Sequence, residues 1–161
     1  MQRRTALFAL PALATLPLSA AAQAWPAKPL RLVIPFPAGG ATDIVGRLLA
    51  QKLGAALGQQ VVIDNKPGAG GTIGSDLVAK APADGHTLLL ATSSTHSIGP
   101  ALNPKMPYDA FKDFAPIAHV ANAPSVLVVG AGFPRGNALD LIKTLKANPG
   151  KYNFGSSGIG T

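Results

Sequence analysis

Three segments of the sequence gather glycine and small hydroxyl residues: Pro37-Ala38-Gly39-Gly40-Ala41-Thr42-Asp43, Pro67-Gly68-Ala69-Gly70-Gly71-Thr72, and Gly155-Ser156-Ser157-Gly158-Ile159-Gly160-Thr161. Each follows a short apolar run, and the first two lead into helix-forming sequence. The first backbone N–H groups of a helix have no partner inside it, and the helix dipole adds about half a positive charge there. Glycine lets a ligand approach the backbone closely, and Ser or Thr hydroxyls add directed donors. The chemistry this predicts is capture of an anion, a carboxylate or a phosphate. For any one loop the competing reading is a tight turn. Three such loops in one short chain favour the anion site.

Other chemistries fit poorly. There is no G-x-x-x-x-G-K-[ST], so a P-loop is excluded. A dinucleotide G-x-G-x-x-G fails because Ile73 stands where the third glycine after Gly68 and Gly70 should be, and Ala41 breaks the pattern from Gly39. A G-x-S-x-G nucleophile elbow would need glycine where Ile159 stands. The sequence has no Cys and no Glu, and His86, His96 and His119 form no i, i+4 pair, which removes zinc, thiolate and disulfide chemistry. His86 and His119 read as structural. His96, beside Thr92, Ser93 and Ser94 at a strand end, reads equally as a ligand contact or a surface residue. Asp43 reads as a first-turn helix acid, and Asp84 as a turn residue.

These loops need a sheet to carry them. Residues 30–34, 61–63 and 87–91 are apolar runs of strand length. Between the first two, Thr42 or Asp43 caps a helix with Val45, Leu48, Leu49, Leu53, Ala56 and Leu57 on one face, and Gly58 stops it. Residues 72–80 form the next helix, with Ile73, Leu77 and Val78 inward. Alternation of strand and helix at this spacing predicts βαβ units and a parallel sheet, an α/β fold. Further on, 117–121, 126–129 and 152–154 are strand candidates. Asn137 caps a helix with Asp140 at its third position and Leu141, Ile142 and Leu145 inward.

The chain has 161 residues, about one ordinary domain. Residues 1–24 combine Arg3-Arg4, an apolar run too short to span a bilayer, and Ala22-Gln23-Ala24. That is a signal peptide with cleavage before Trp25, and it predicts a periplasmic protein. Lys and Arg number 14 against 7 acids, for a formal charge of +7. The basic residues are scattered without interleaved aromatics, so no nucleic-acid partner is expected, and a small anionic solute is. The last strand runs into a Gly/Ser loop and the chain stops, so these residues read as the first part of a longer protein.

The run 34–43, then Asn65-Lys66-Pro67-Gly68-Ala69-Gly70-Gly71, then 84–89, resembles the Bug-type solute receptors of tripartite tricarboxylate transporters. Met106-Pro107-Tyr108-Asp109, residues 112–117 and residues 148–158 extend the resemblance in register. The family implies a two-lobed, periplasmic-binding-protein-like (type II) α/β fold that clamps a small carboxylate, with 25–121 as the first lobe and 122–161 as the start of an incomplete second. Carried onto this chain, the ligand contacts are Ala38, Gly39, Gly40, Thr42 and Asp43; Gly68, Ala69 and Gly70; and Ser156, Ser157, Gly158 and Thr161. Thr92, Ser93, Ser94 and His96 are weaker candidates. The implied function is an extracytoplasmic receptor, not an enzyme, with membrane transporter subunits as partners and neither cofactor nor metal. The alternatives are an extracytoplasmic hydrolase using Ser157 with a histidine, and a non-functional truncated remnant.

Overall fold

Leu30, Leu32, Val33 and Ile34 are all but removed from solvent, because their strand lies between two others. In the computed structural model, which describes residues 24–134 and 136–155, β1 (Leu30–Ile34) is the centre of a three-stranded parallel sheet. β2 (Val61–Asn65) pairs on one side, with Leu32 opposite Ile63, and β3 (Thr87–Leu89) on the other, with Leu32 opposite Leu88. A strand buried on both faces reads as an unbroken apolar run, and this one does.

α1 (Ala41–Leu57) connects β1 to β2, and α2 (Thr72–Ala79) connects β2 towards β3. With strand order β2-β1-β3, right-handed crossovers place these two helices on opposite faces. The core cluster of Leu32, Ile34, Ala50 and Leu90, flanked by Leu49, Val61, Ile63 and Leu88, fills the α1 face. After β3 the chain makes a π turn (Ser94–Ile98) that continues into α3 (Gly99–Leu102). α4 (Ala138–Ala147) follows later, with the Asn137–Asp140 capping box in place. The strands and helices up to residue 102 form one α/β lobe with a parallel sheet.

Several expectations need correction. α1 begins at Ala41 with Gly40 as its cap residue, not at Thr42 or Asp43, and no side chain caps it. Its buried positions are Asp43, Gly46 and Ala50, while Leu48 is 60% exposed. The reason is close approach: a Cβ at Gly46 would lie 2.5 Å from Ile34 Cδ1, so small residues hold the line of closest contact and Leu49 packs beside it. α2 repeats this, with Gly74 and Ser75 buried and Ile73 turned outward. The strand candidates 117–121, 126–129 and 152–154 have no regular structure, and their large apolar residues Ile117, Val126, Leu127, Val128 and Phe154 are exposed. A strand needs a ladder partner for its backbone groups, and among the described residues none flanks them. The expected signal peptide lies outside the described residues except for Ala24.

Candidate functional site

The loop after β1 carries Ala38, Gly39 and Gly40 at the exposed start of α1. Gly39 turns the chain with φ +85. Its N–H donates to Asp43 Oδ2 at 2.8 Å, so this amide is already engaged. The first backbone bond of α1 runs from Ile44 N–H to the Gly40 carbonyl at 3.0 Å. The amides of Ala41 and Thr42 therefore precede the helical ladder and have no partner within it. Gly40 has an ordinary extended φ of −76, and a Cβ there would meet only the Pro37 carbonyl at 3.5 Å.

Asp43 is 2% exposed and is the organising side chain of this end of the sheet. Arg47 Nε donates to its Oδ2 at 2.9 Å, one helical turn on. Asn65 Nδ2, at the end of β2, donates to its Oδ1 at 3.0 Å and to the Phe36 carbonyl at 3.1 Å. Donation from Arg47, then from Gly39 and Asn65, holds the carboxyl at about 2 against an ordinary 3.8. Donors occupy both oxygens of this carboxylate and tie the loop to the helix and to the end of β2. Asp43 positions the loop. Asn65 escaped the sequence reading because a bond across 22 residues leaves no local pattern, whereas Arg47 went unnoticed although its i, i+4 spacing from Asp43 is a helical signal.

The second loop holds Gly68, Ala69, Gly70 and Gly71 at φ values of +132, +48, +65 and +93. Four successive left-handed residues are unusual, and Ala69 is the one non-glycine with positive φ among the described residues. Gly71 N–H donates to the Gly68 carbonyl and Thr72 N–H to that of Ala69. The amides of Ala69 and Gly70 make no such backbone bond. Gly71 is buried where the loops meet: a Cβ there would lie 2.6 Å from Thr95 Cγ2 and 3.3 Å from the Phe36 ring.

The third arm follows β3. Thr92 N–H donates to Thr95 Oγ1 at 3.1 Å, and the amides of Thr95 and His96 both donate to the Thr92 carbonyl. Tyr108, 6% exposed, reaches in from the later segment and donates its hydroxyl to the Thr95 carbonyl at 2.7 Å. Ser93 is exposed and Ser94 half-buried, while Thr92 Oγ1 is buried without a partner. Thus the loops after all three strands meet on one edge, with Gly71 and Thr95 in contact. Ser156, Ser157, Gly158 and Thr161 lie outside the described residues.

The sheet order gives this edge its meaning. By right-handed crossovers the connections after β1 and β2 leave towards opposite faces, and ligands of open α/β sheets bind beyond the carboxyl ends of the strands. A groove of 570 Å³ lies elsewhere, between α1 and β2, lined by Gln51, Gly54, Gln60 and Val61 among others. It holds none of the helix-start amides. Among the described residues no cluster of His, Cys, Asp or Glu could hold a metal ion.

Comparison with known proteins agrees with this architecture. A family model described as the tripartite tricarboxylate transporter family receptor matches residues 45–161. The chain is 46% identical over 138 residues to a UPF0065 protein encoded between tcbD and tcbE in Pseudomonas sp. strain P51, covering 86% of this chain and 41% of that one. It is 42% identical to protein BugT of Bordetella pertussis, covering 87% and 43%. Among solved structures, one described as a periplasmic transporter superposes with a TM-score of 0.79 at 47% identity, covering 84% of this chain and 45% of that one. An R. palustris protein with adipate gives 0.73 at 38% identity, covering 78% and 42%. The periplasmic binding protein BugD gives 0.71 at 38% identity, covering 84% and 45%. The chain spans less than half the length of each of these relatives.

Proposed function

The chain belongs to the tripartite tricarboxylate transporter receptor family, and we propose that it is the amino-terminal part of a periplasmic receptor that captures a small carboxylate for membrane transporter subunits of that type. Residues 25–121 supply the first lobe and 122–161 begin the second. Residues 1–24 direct export. The observation that carries the reading is the meeting of the two glycine-rich strand-to-helix loops on one sheet edge, held in register by Asp43 and Asn65. The donors on offer are backbone amides of Ala41, Thr42, Ala69 and Gly70. Such an array suits a carboxylate, the chemistry of the adipate held by one relative.

The experiment uses the receptor expressed from its complete reading frame, titrated with succinate, malate and adipate by calorimetry. At least one of them binds and raises the melting temperature. Gly40→Val is the decisive variant. Its φ of −76 accepts a β-branched residue, and the nearest atom to the new Cβ is 3.5 Å away, so the fold is retained. The added methyls stand over the α1 amides and block the anion. A folded Gly40→Val protein that binds like wild type shows that the first loop is only a turn.

A further inference from the structure

Residues 25–31, the entry to β1, are fastened to the turn that leads into β3. The Trp25 indole lies over Gly85: a Cβ there would meet its Nε1 at 3.1 Å and its Cε2 and Cζ2 at 3.4 Å. Gly85 has φ +77, a conformation that favours glycine, and so presents bare backbone to the ring. The His86 ring stands beside the indole at 5.9 Å between centroids, its own side chain 11% exposed. Lys28 Nζ donates to Asp84 Oδ2 at 2.9 Å, and Asp84 Oδ1 accepts from His86 N–H at 3.0 Å. These two donors, Lys28 first, hold the Asp84 carboxyl at about 2, so the pair is intact at neutral pH. Arg31 N–H completes the set by donating to the His86 carbonyl at 2.8 Å.

Each contact alone is weak, for Trp25 is half-exposed and the Lys28–Asp84 pair lies at the surface. They act together because Leu30, just downstream, is 1% exposed and fixed in the core. A short tether from a fixed residue leaves the indole few other places to go. Releasing it takes a local opening in which the ring and the ion pair come away while β1 stays in the sheet. The strands are parallel, so this clasp lies at their amino ends, away from the glycine-rich loops.

We propose that the clasp is a processing gate: with residues 25–31 docked on the 84–86 turn, the Ala24–Trp25 bond is closed to the leader peptidase. The inference rests on the export reading above, in which residues 1–24 are removed before Trp25. The step is a hydrolysis, in which water adds across the Ala24–Trp25 amide and leaves a carboxylate on Ala24 and an amine on Trp25. A peptidase draws the residues on both sides of the bond into its cleft as an extended chain. Trp25 follows the bond directly and cannot enter while its indole rests on Gly85 and His86. Cleavage of a folded precursor then follows the small population in which the clasp is open. An unfolded chain has no such limit. The gate therefore suits a chain cut on export before its first lobe forms, and a precursor that folds first keeps its leader.

The test uses the precursor from the complete reading frame and a purified bacterial signal peptidase in non-denaturing detergent. Cleavage is timed on gels for folded precursor and for precursor diluted from urea at the moment of mixing, and the product is sequenced from its N-terminus. The expected result is a product beginning at Trp25, formed at least about tenfold more slowly from the folded precursor. Asp84→Ala removes the Lys28 pair and the acceptor of the His86 amide without altering the residues around the bond. It is expected to speed cleavage of the folded precursor by about threefold or more and to leave the unfolded rate unchanged. Lys52→Ala, exposed on α1, changes neither rate. Equal rates for folded and unfolded wild type, or a folded Asp84→Ala precursor cut no faster than wild type, overturns the inference and leaves the export reading standing. A product that begins elsewhere, or no cut in the unfolded chain, overturns both. Should Asp84→Ala fail to fold by circular dichroism, Lys28→Ala decides by the same two rates.

Discussion

At the scale of single residues, Asp43 holds the glycine loop in place. Its carboxylate accepts from the Gly39 amide, from Arg47 and from Asn65, which fixes the loop before α1 against the end of β2. The sign of its pH dependence follows from the depressed pKa. A carboxyl held at about 2 when folded and near 3.8 when unfolded stabilises the protein fully above 3.8. That contribution is lost as pH falls through about 2. Asp43→Asn therefore melts below wild type at pH 7, and the gap between the two narrows as the pH is lowered from 4 towards about 2. Thermal scans by circular dichroism across that range check it. A constant gap would mean that shape rather than charge holds the loop. Thr42→Ala has a smaller effect, within about 0.5 kcal/mol, because Gly40 is the cap residue and the Thr42 hydroxyl caps nothing.

At the scale of elements, closeness of approach decides the packing, and glycines mark where it occurs. Gly74 lies inside α2, where alanine is ordinarily favoured over glycine by about 1 kcal/mol. Here a Cβ would fall 2.7 Å from the Lys66 carbonyl and 2.9 Å from Pro35 Cα, both backbone atoms that cannot swing aside. Gly74→Ala is expected to destabilise by about 1–3 kcal/mol, against its helix propensity. Gly130→Ala, with nothing within 4 Å of its Cβ, leaves the melting temperature unchanged. Gly74→Ala melting at or above wild type would show that α2 slides freely on the sheet. The same contrast explains what was legible in the sequence. β1, the Gly58 stop and the 72–79 helix rest on local patterns, an apolar run, a left-handed residue and a helical period, and all are present. Leu48, Ala56 and Ile73 were misplaced on the inward faces of α1 and α2 because apolarity marks what prefers burial, not which residues are small enough to touch the sheet. The Asp43–Asn65 bond and the Tyr108–Thr95 bond were illegible for a different reason. They join residues 22 and 13 positions apart: the pairing of β1 with β2 brings the first together, and the return of the chain after α3 the second.

At the scale of the whole molecule, the described residues divide into a covered part and an uncovered one. The β1 core is closed, whereas Val126, Leu127 and Val128 are each near 80% exposed, and Leu139, Ile142 and Leu145 of α4 are also open. Leu127 and Val129 line a 480 Å³ groove shared with Phe133 and Leu141 of the α4 region. Val126 and Val128 do not line that groove. Four consecutive β-prone apolar residues without a ladder partner form a template for pairing with another chain. The 161-residue chain expressed alone is therefore expected to self-associate and to bind a hydrophobic dye. The receptor from its complete reading frame supplies more than twice the sequence if it has the length of its relatives, and so the means to cover the segment. Val128→Lys places a charge at an exposed position outside the groove lining, where it blocks edge pairing. Sedimentation velocity should show the 161-residue chain as a distribution of oligomers, shifted towards monomer by Val128→Lys with an unchanged circular dichroism spectrum. A monomeric wild-type chain that ignores the dye would mean that residues 126–129 find cover within the chain itself.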